Sequence, residues 1–260
     1  MKRTSIYLLA TCLISLSSIE AQSQTKLGNI LKKVTAASKP ATTNKSNSVT
    51  GTTGTPSTSE IGFGIKEALE LGIGRGADLL SAKDGFMGNA AVKILFPPEA
   101  QKVEKTLRSV GLGSLADNVV LSLNRAAEDA AKEAKPIFVS ATKQMTIADA
   151  TNILLGQQDA ATNYFKRVTT AQLMEKFEPV ITNSLSKVGA AKYWGDATKQ
   201  YNKLPMVKPV TTDLSSYVAQ KAIDGMFIQV AQEELKIRDN LGARSTPLLQ
   251  KVFGYADQKK

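Results

Sequence analysis

Apolar side chains recur at helical spacing along most of the chain after residue 60. One stripe runs from Leu173 to Val188, with successive members three or four residues apart. A second, wider stripe runs from Val218 to Val230 and predicts a central, largely buried helix. A third, from Leu115 to Ala130, is rich in small residues that let helices pack closely. The pattern predicts an all-α fold, a single kinked multi-helix domain of about eight helices.

Capping residues mark the expected starts of three of these helices. Ser114 precedes Asp117, and Thr146 precedes Asp149, at the three-residue spacing of a capping box. Thr246 precedes a proline, which suits the first turn of a helix. We therefore expect each of these hydroxyl side chains to cap a helix.

Prolines and one short segment interrupt the helical pattern. Pro136 and Pro179 each fall within an apolar stripe, where a proline kinks a helix or separates two. Val92–Phe96, ahead of two prolines, is predicted to be extended, as a loop that crosses the surface.

The N-terminal region differs from the rest in composition. Residues 1–21 combine a positive start, a short apolar run and a small residue at Ala21, which is typical of a cleavable signal peptide. Residues 22–59 hold a short possible helix and then a Ser/Thr-rich stretch, which we expect to be a disordered linker. The helical domain is expected at 60–254, with a tail at 255–260. The protein is therefore expected to be periplasmic or secreted, with no transmembrane segment in the mature chain.

The residue types that are missing narrow the chemistry. The chain has no histidine, and its one cysteine, Cys12, lies in the predicted signal peptide. This argues against zinc, disulfide-exchange and histidine-based triad chemistry in the mature chain. Carboxylate or lysine catalysis and an oxygen-ligated metal remain open. No motif calls for a cofactor or a metal ion, and we expect neither.

Net charge sets a weaker constraint. The formal charge is +10, but lysines and arginines are interleaved with acids and form no run of four. A solvated basic surface is the simpler interpretation, and no specific nucleic-acid partner is expected. Attachment to an anionic membrane or polymer is an alternative that added salt would weaken.

Six polar residues are candidates for a ligand site. Arg125 and Glu128 lie one helical turn apart beside a small-residue face, with Asn124 next to them. They are either a structural pair or the polar floor of a site. The remaining candidates, which could join them through the fold, are Asp149, Asp159 and Arg238.

Three other features favour structural interpretations. Gly72, Gly74 and Gly76 follow a helical pattern rather than a strand, which favours close helix packing over phosphate binding. Glu233 and Glu234 point to different sides of a helix and are expected on a solvated face. Tyr193 and its neighbour Trp194 are expected to fill the core rather than to stack on a sugar.

Ordered sequence blocks also resemble a known family. They include Lys83-Asp84-Gly85-Phe86, Phe96-Pro97-Pro98-Glu99, Leu123-Asn124-Arg125-Ala126-Ala127-Glu128 and Asp224-Gly225-Met226-Phe227. Together they resemble the bacterial family catalogued as domain of unknown function 4197, over roughly residues 60–254. The resemblance implies an exported, helical envelope protein and carries over no activity.

These features favour a non-catalytic binding or structural protein of the cell envelope over an enzyme. Its expected partners are an apolar small molecule, a lipid or an envelope protein. The alternative is a carboxylate-dependent hydrolase acting on envelope polysaccharide, in which Glu128 would meet a second acid at about 5–9.5 Å. No catalytic residue is assigned.

Overall fold

A computed structural model describes residues 54–203, 206–207 and 213–259. Every regular element in these ranges is helical, which confirms the all-α prediction. The signal peptide predicted at 1–21 and most of the linker predicted at 22–59 lie outside the described residues. In chain order the helices are α1 (Thr58–Ser81), α2 (Gln101–Ser109), α3 (Gly113–Ala131), α4 (Ala134–Gln144), α5 (Ile147–Leu155), α6 (Ala160–Lys187), α7 (Ala190–Asn202), α8 (Leu214–Asp239) and α9 (Pro247–Asp257), with 3₁₀ turns at Pro98–Ala100 and Leu241–Ala243.

Helix α8 lies at the centre of the packing, in contact with α1, α3 and α6. The apolar stripe predicted from Val218 to Val230 is buried along its whole length. The stripe is wide enough for three helices to pack against α8, which agrees with the central, largely buried helix that the sequence predicted.

Helix α6 contains the stripe predicted from Leu173 to Val188. Leu173, Phe177 and Ile181 are fully buried between α3 and α8, and the helix continues through Pro179. Pro136, by contrast, lies in the first turn of α4, where its missing N–H costs little, and it helps to separate α4 from α3.

Two of the three predicted helix caps are confirmed. Thr146 and Asp149 form a reciprocal capping box at the start of α5. The Thr246 hydroxyl accepts a hydrogen bond from Leu249 N–H at the start of α9. The cap predicted at Ser114 is wrong, because α3 begins at Gly113 and Leu112 occupies the capping position without a side-chain bond.

Helix α1 begins two residues before the predicted boundary at Glu60. Ser57 and Glu60 form a capping box. It was not predicted, because Ser57 lies among the many Ser and Thr residues of the expected linker. A Glu60 carboxylate oxygen also pairs with Lys251 of α9 at 2.7 Å, so the cap joins the two ends of the described chain.

The segment between α1 and α2 holds no strand, and it is more deeply embedded than a surface loop. Val92, Ile94 and Phe96 are buried, whereas Leu95 is half exposed. Such alternation is that of an extended chain with one side against the core. None of the helices in the described ranges combines the length and apolar character needed to span a bilayer.

Candidate functional site

Asn124 of α3 holds the extended segment through its backbone. The Asn124 amide accepts a hydrogen bond from Ile94 N–H at 2.9 Å and donates one to Ile94 C=O at 2.8 Å. It donates another to Val120 C=O within α3. The side chain therefore imitates a neighbouring strand, and it is fully buried with its hydrogen-bonding groups occupied.

One turn further along α3, Glu128 holds the preceding loop. One carboxylate oxygen accepts hydrogen bonds from the backbone N–H groups of Phe86 and Met87, at 3.2 and 3.1 Å. The other is 2.6 Å from the Arg125 guanidinium. Because Glu128 is almost completely buried, these bonds replace the water that the carboxylate loses.

Asn124, Glu128 and Arg125 together form a clamp on the segment between α1 and α2. The member on the solvent side is Arg125. Its guanidinium also pairs with Asp84 at 2.7 Å, and the two carboxylates raise the Arg125 pKa further, chiefly through the bond to Glu128. Asp84 has φ 67°, in the left-handed region that few residues other than glycine and Asn/Asp adopt. The pair thus fixes a tight turn that leads into the extended segment.

A second clamp forms where α5, α6 and α8 meet. Glu234 accepts hydrogen bonds from the N–H groups of Ala161 and Thr162, at 2.9 Å each, and so caps the start of α6. Arg238 pairs with Glu234 at 2.8 Å and donates to the carbonyl groups of Ile153 and Leu154 at the end of α5. Both side chains are buried and complement the helix dipoles that they face.

This clamp corrects the expectation that Glu233 and Glu234 lie on a solvated face, since both are buried. Glu233 bonds to Gln229 and Lys236 along the same helix. The sequence could not distinguish the two cases, because burial here depends on which helix ends reach α8.

Arg244 is a buried polar residue that the sequence analysis did not select as a candidate. Its guanidinium donates to the carbonyl groups of Ile237 and Arg238, at 3.0 and 2.6 Å, and pairs with Asp257. Its position just beyond the C-terminus of α8 is the sequence feature that could have predicted it, because an arginine there can bind the last carbonyl groups of the helix.

The six predicted site residues do not share one site through direct bonds. Arg125 and Glu128 are bonded to each other, while Asn124 bonds to the extended segment that follows the loop they hold. Asp149 caps α5, where its bonds to Thr146 lower the Asp149 pKa. Asp159 is exposed before α6, and Arg238 belongs to the second clamp. Within the described ranges, no side-chain hydrogen bond or ion pair links Asp149, Asp159, Arg238 and the α3 residues to one another.

The glycines of α1 serve helix packing, as predicted. A Cβ atom on Gly72 would lie 3.3 Å from Glu233 Cβ, and one on Gly76 would lie 3.0 Å from Gln229 Cγ. Trp194 is partly buried against the core, with its ring centroid 5.9 Å from that of Phe96. Both features are structural.

The clamped segment forms one wall of an open groove of about 410 Å³, and α8 forms the other. The apolar side chains Leu95 and Ile228 are exposed in it. The floor is close-packed, because a Cβ atom on Gly225 would lie 2.7 Å from the Phe86 ring. Further lining residues are Lys93, Phe96, Pro98, Gln101, Tyr217, Lys221 and Asp224.

Backbone groups also face this groove. In an extended segment, neighbouring residues direct their N–H and C=O groups to opposite sides, and those of Ile94 point to Asn124. Leu95 C=O points the other way and accepts a hydrogen bond from the Tyr217 hydroxyl, whose pKa is raised by burial. Leu95 N–H and Lys93 C=O have no hydrogen-bond partner among the described residues.

The described part of the chain contains no cluster of acids that could hold a metal ion. In the same ranges, every buried side-chain nitrogen and oxygen has a hydrogen-bond partner. The polar groups of the interior are therefore committed to holding the fold together.

Comparison with known proteins places the chain in a family. A family model described as "Protein of unknown function (DUF4197)" matches residues 55–254. No curated protein and no solved structure matches the chain.

Proposed function

We propose that this chain, which belongs to the DUF4197 family of proteins of unknown function, is a non-catalytic binding protein of the cell envelope. Its binding site is the groove between the extended segment and α8. The partner is an extended stretch of another protein that carries apolar side chains.

The observation that carries this proposal is the contrast between the clamps and the groove. Asn124, Glu128 and Arg238 are buried with their bonding groups occupied, whereas the groove offers exposed Leu95 and Ile228. Buried polar groups that are already paired supply stability, and exposed apolar ones supply binding energy.

The backbone of the groove wall favours an extended peptide over a helix. By the alternation of an extended chain, Leu95 N–H and Lys93 C=O point away from Asn124. Neither group has a partner among the described residues, so both can pair with a second extended chain. A peptide that lies along this wall gains main-chain hydrogen bonds, and its alternate side chains reach Leu95 and Ile228. A compact helix uses its own backbone groups internally and gains nothing from that edge.

The alternative function, a carboxylate-dependent hydrolase, has less support. A catalytic carboxylate must reach the substrate, but both Glu128 oxygens are bonded within the protein. To use Glu128, the enzyme would have to release the loop that Glu128 holds. Asp84 is more exposed, but it shares the same guanidinium.

The envelope location is part of the proposal, and it rests on the signal-like residues 1–21. N-terminal sequencing of the protein from its host should find a new terminus close to Ala21, and the protein should be recovered in the envelope or secreted fraction. An intact Met1 terminus in the cytoplasmic fraction would contradict this location.

The binding proposal can be tested with phage-displayed peptides of about 12 residues. Peptides enriched on the purified protein are titrated calorimetrically against three proteins: wild type, Leu95→Asp and Leu79→Asp. Leu79 is an exposed leucine on α1 that lies outside the groove, so it is the matched control. Leu95→Asp should weaken binding at least about tenfold, and Leu79→Asp should change it less than about twofold.

Three results would overturn the proposal. They are no enriched peptide, peptides that bind Leu95→Asp as tightly as wild type, or a stoichiometric acyl lipid in native mass spectrometry of protein purified from its host. The last result would assign the groove to a lipid instead.

A further inference from the structure

Positive charge is unevenly distributed over the folded part of the chain. The described residues carry 24 Lys and Arg against 22 Asp and Glu, so they are nearly neutral. Helices α2 and α7, with Lys203 just after α7, hold six of these cations and only two anions. The remaining described residues have 18 cations and 20 anions and are slightly acidic. The basic excess of the folded part therefore lies on these two helices.

Five lysines of this pair of helices are exposed and form no ion pair with any described residue: Lys102, Lys105, Lys192, Lys199 and Lys203. We refer to them as the lysine face. Arg108 is not included, because Glu104 and Asp117 neutralise it at 2.9 and 2.8 Å. Asp196 lies between Lys192 and Lys199 in the sequence of α7, and Glu99 lies three residues before Lys102, so two acids accompany the five lysines.

Packing brings together the two helices that carry these lysines. Helices α2 and α7 contact each other, and both pack on α3. The buried residues of α7 are Ala190, Ala197 and Tyr201, which share one stripe. Lys192, Lys199 and Lys203 lie about half a turn away from that stripe and point outward. Lys105 has the corresponding outward position on α2, opposite Val103 and Leu107.

The turn after α2 adds exposed apolar side chains beside these charges. Val110 is 56% exposed and Leu112 is 36% exposed, on either side of Gly111, which has φ 80°. Anionic polysaccharide would use the lysines alone. A bilayer with anionic headgroups uses both features, since lysines bind the headgroups and small apolar side chains enter the interface.

We infer that the lysine face, together with the Val110–Leu112 turn, is a docking surface for an anionic lipid bilayer. No residue of the lysine face or of the turn lines the peptide groove, although Lys102 directly follows the groove residue Gln101, and each assignment has its own test.

The test is co-sedimentation of the full chain with vesicles of phosphatidylglycerol and phosphatidylcholine, and with phosphatidylcholine alone. One variant changes Lys102, Lys105, Lys192 and Lys199 to Glu. The matched control changes Arg75, Lys83, Lys143 and Lys176 to Glu, which are exposed cations outside the face and also form no ion pair. Both variants change the net charge equally and leave the basic N-terminal residues intact, so a difference between them reports position alone.

We expect wild type to bind only the anionic vesicles, and less at about 500 mM than at about 50 mM salt. The face variant should lose at least about fivefold in bound fraction and the control less than about twofold. Circular dichroism checks that both variants are folded, and a Lys192→Gln/Lys199→Gln variant should give an intermediate loss.

The Val110→Ser/Leu112→Ser variant separates a bilayer from a polymer. It should weaken vesicle binding about threefold and leave any retention on an alginate column unchanged. Equal losses in the face variant and its control would overturn the inference. So would retention on alginate without vesicle binding, which would assign the lysines to an anionic polymer.

Discussion

At the residue scale, the polar residues that stand out in the sequence are clamps. Asn124 and Glu128 lie on one turn of α3 and bond to backbone groups of the segment between α1 and α2. Sequence spacing identified them as unusual because polar side chains on a small-residue face need partners. It could not name those partners, since Ile94 and Phe86 are 30 and 42 residues away.

Removal of one clamp should therefore lower stability. Glu128→Ala leaves two backbone N–H groups and the Arg125 guanidinium without their acceptor, so the free energy of unfolding should fall by about 2–4 kcal/mol. Glu133→Ala, at an exposed glutamate just after α3, should stay within about 0.5 kcal/mol of wild type. Urea denaturation measures both. A Glu128→Ala protein as stable as the control would show that the carboxylate has no clamping role.

At the element scale, the sequence predicted most helices but not which segments pack against them. The apolar stripes of α6 and α8 and the caps at Thr146 and Thr246 are local features, and each was found where the pattern placed it. Local spacing misled at Ser114, because α3 begins at Gly113, two residues earlier than a cap at Ser114 requires. The groove was not predicted at all, since it forms between α8 and a segment more than 100 residues away in sequence.

Glycine positions give a direct test of the packing. Gly225→Ala places a Cβ atom 2.7 Å from the Phe86 ring, so it should destabilise the fold by about 1–3 kcal/mol. Gly195 of α7 has open space around its Cβ position, and Gly195→Ala should stabilise by about 0.5–1 kcal/mol, as expected for an exposed helix. Thermal denaturation reports both changes. A Gly225→Ala protein that melts at or above the wild-type temperature would contradict the close approach at Gly225.

The capping box at the start of α1 should make the stability of the fold depend on pH. Bonds to Lys251, and then to Ser57, lower the Glu60 pKa from 4.5 to about 2. Since the folded pKa is below the unfolded one, this stabilisation is complete above about pH 4.5 and is lost as the pH falls towards 2.

The Glu60→Gln variant should consequently melt at a lower temperature than wild type at neutral pH, and this gap should close between about pH 4.5 and pH 2. Glu70→Gln, at an exposed glutamate of the same helix, serves as the control. A gap between wild type and Glu60→Gln that stays constant over this pH range would contradict the assigned cause.

At the scale of the whole molecule, the described part of the chain has three regions with different roles. Buried clamps join helix ends and loops, the groove presents apolar side chains and free backbone groups, and the lysine face concentrates positive charge. Composition gave only the net charge of +10, which says nothing about position. The central claim is that binding takes place at the groove, while the clamps are structural.

Calorimetric titration of a peptide enriched on the wild-type protein tests this claim most directly, with Leu95→Asp in the groove and Asp84→Asn at the exposed edge of the Glu128 clamp. Asparagine tolerates the left-handed backbone at residue 84, so the second variant should fold normally. The account predicts at least about a tenfold loss of affinity in Leu95→Asp and less than about twofold in Asp84→Asn. The reverse pattern, with affinity lost at Asp84 and kept at Leu95, would contradict it.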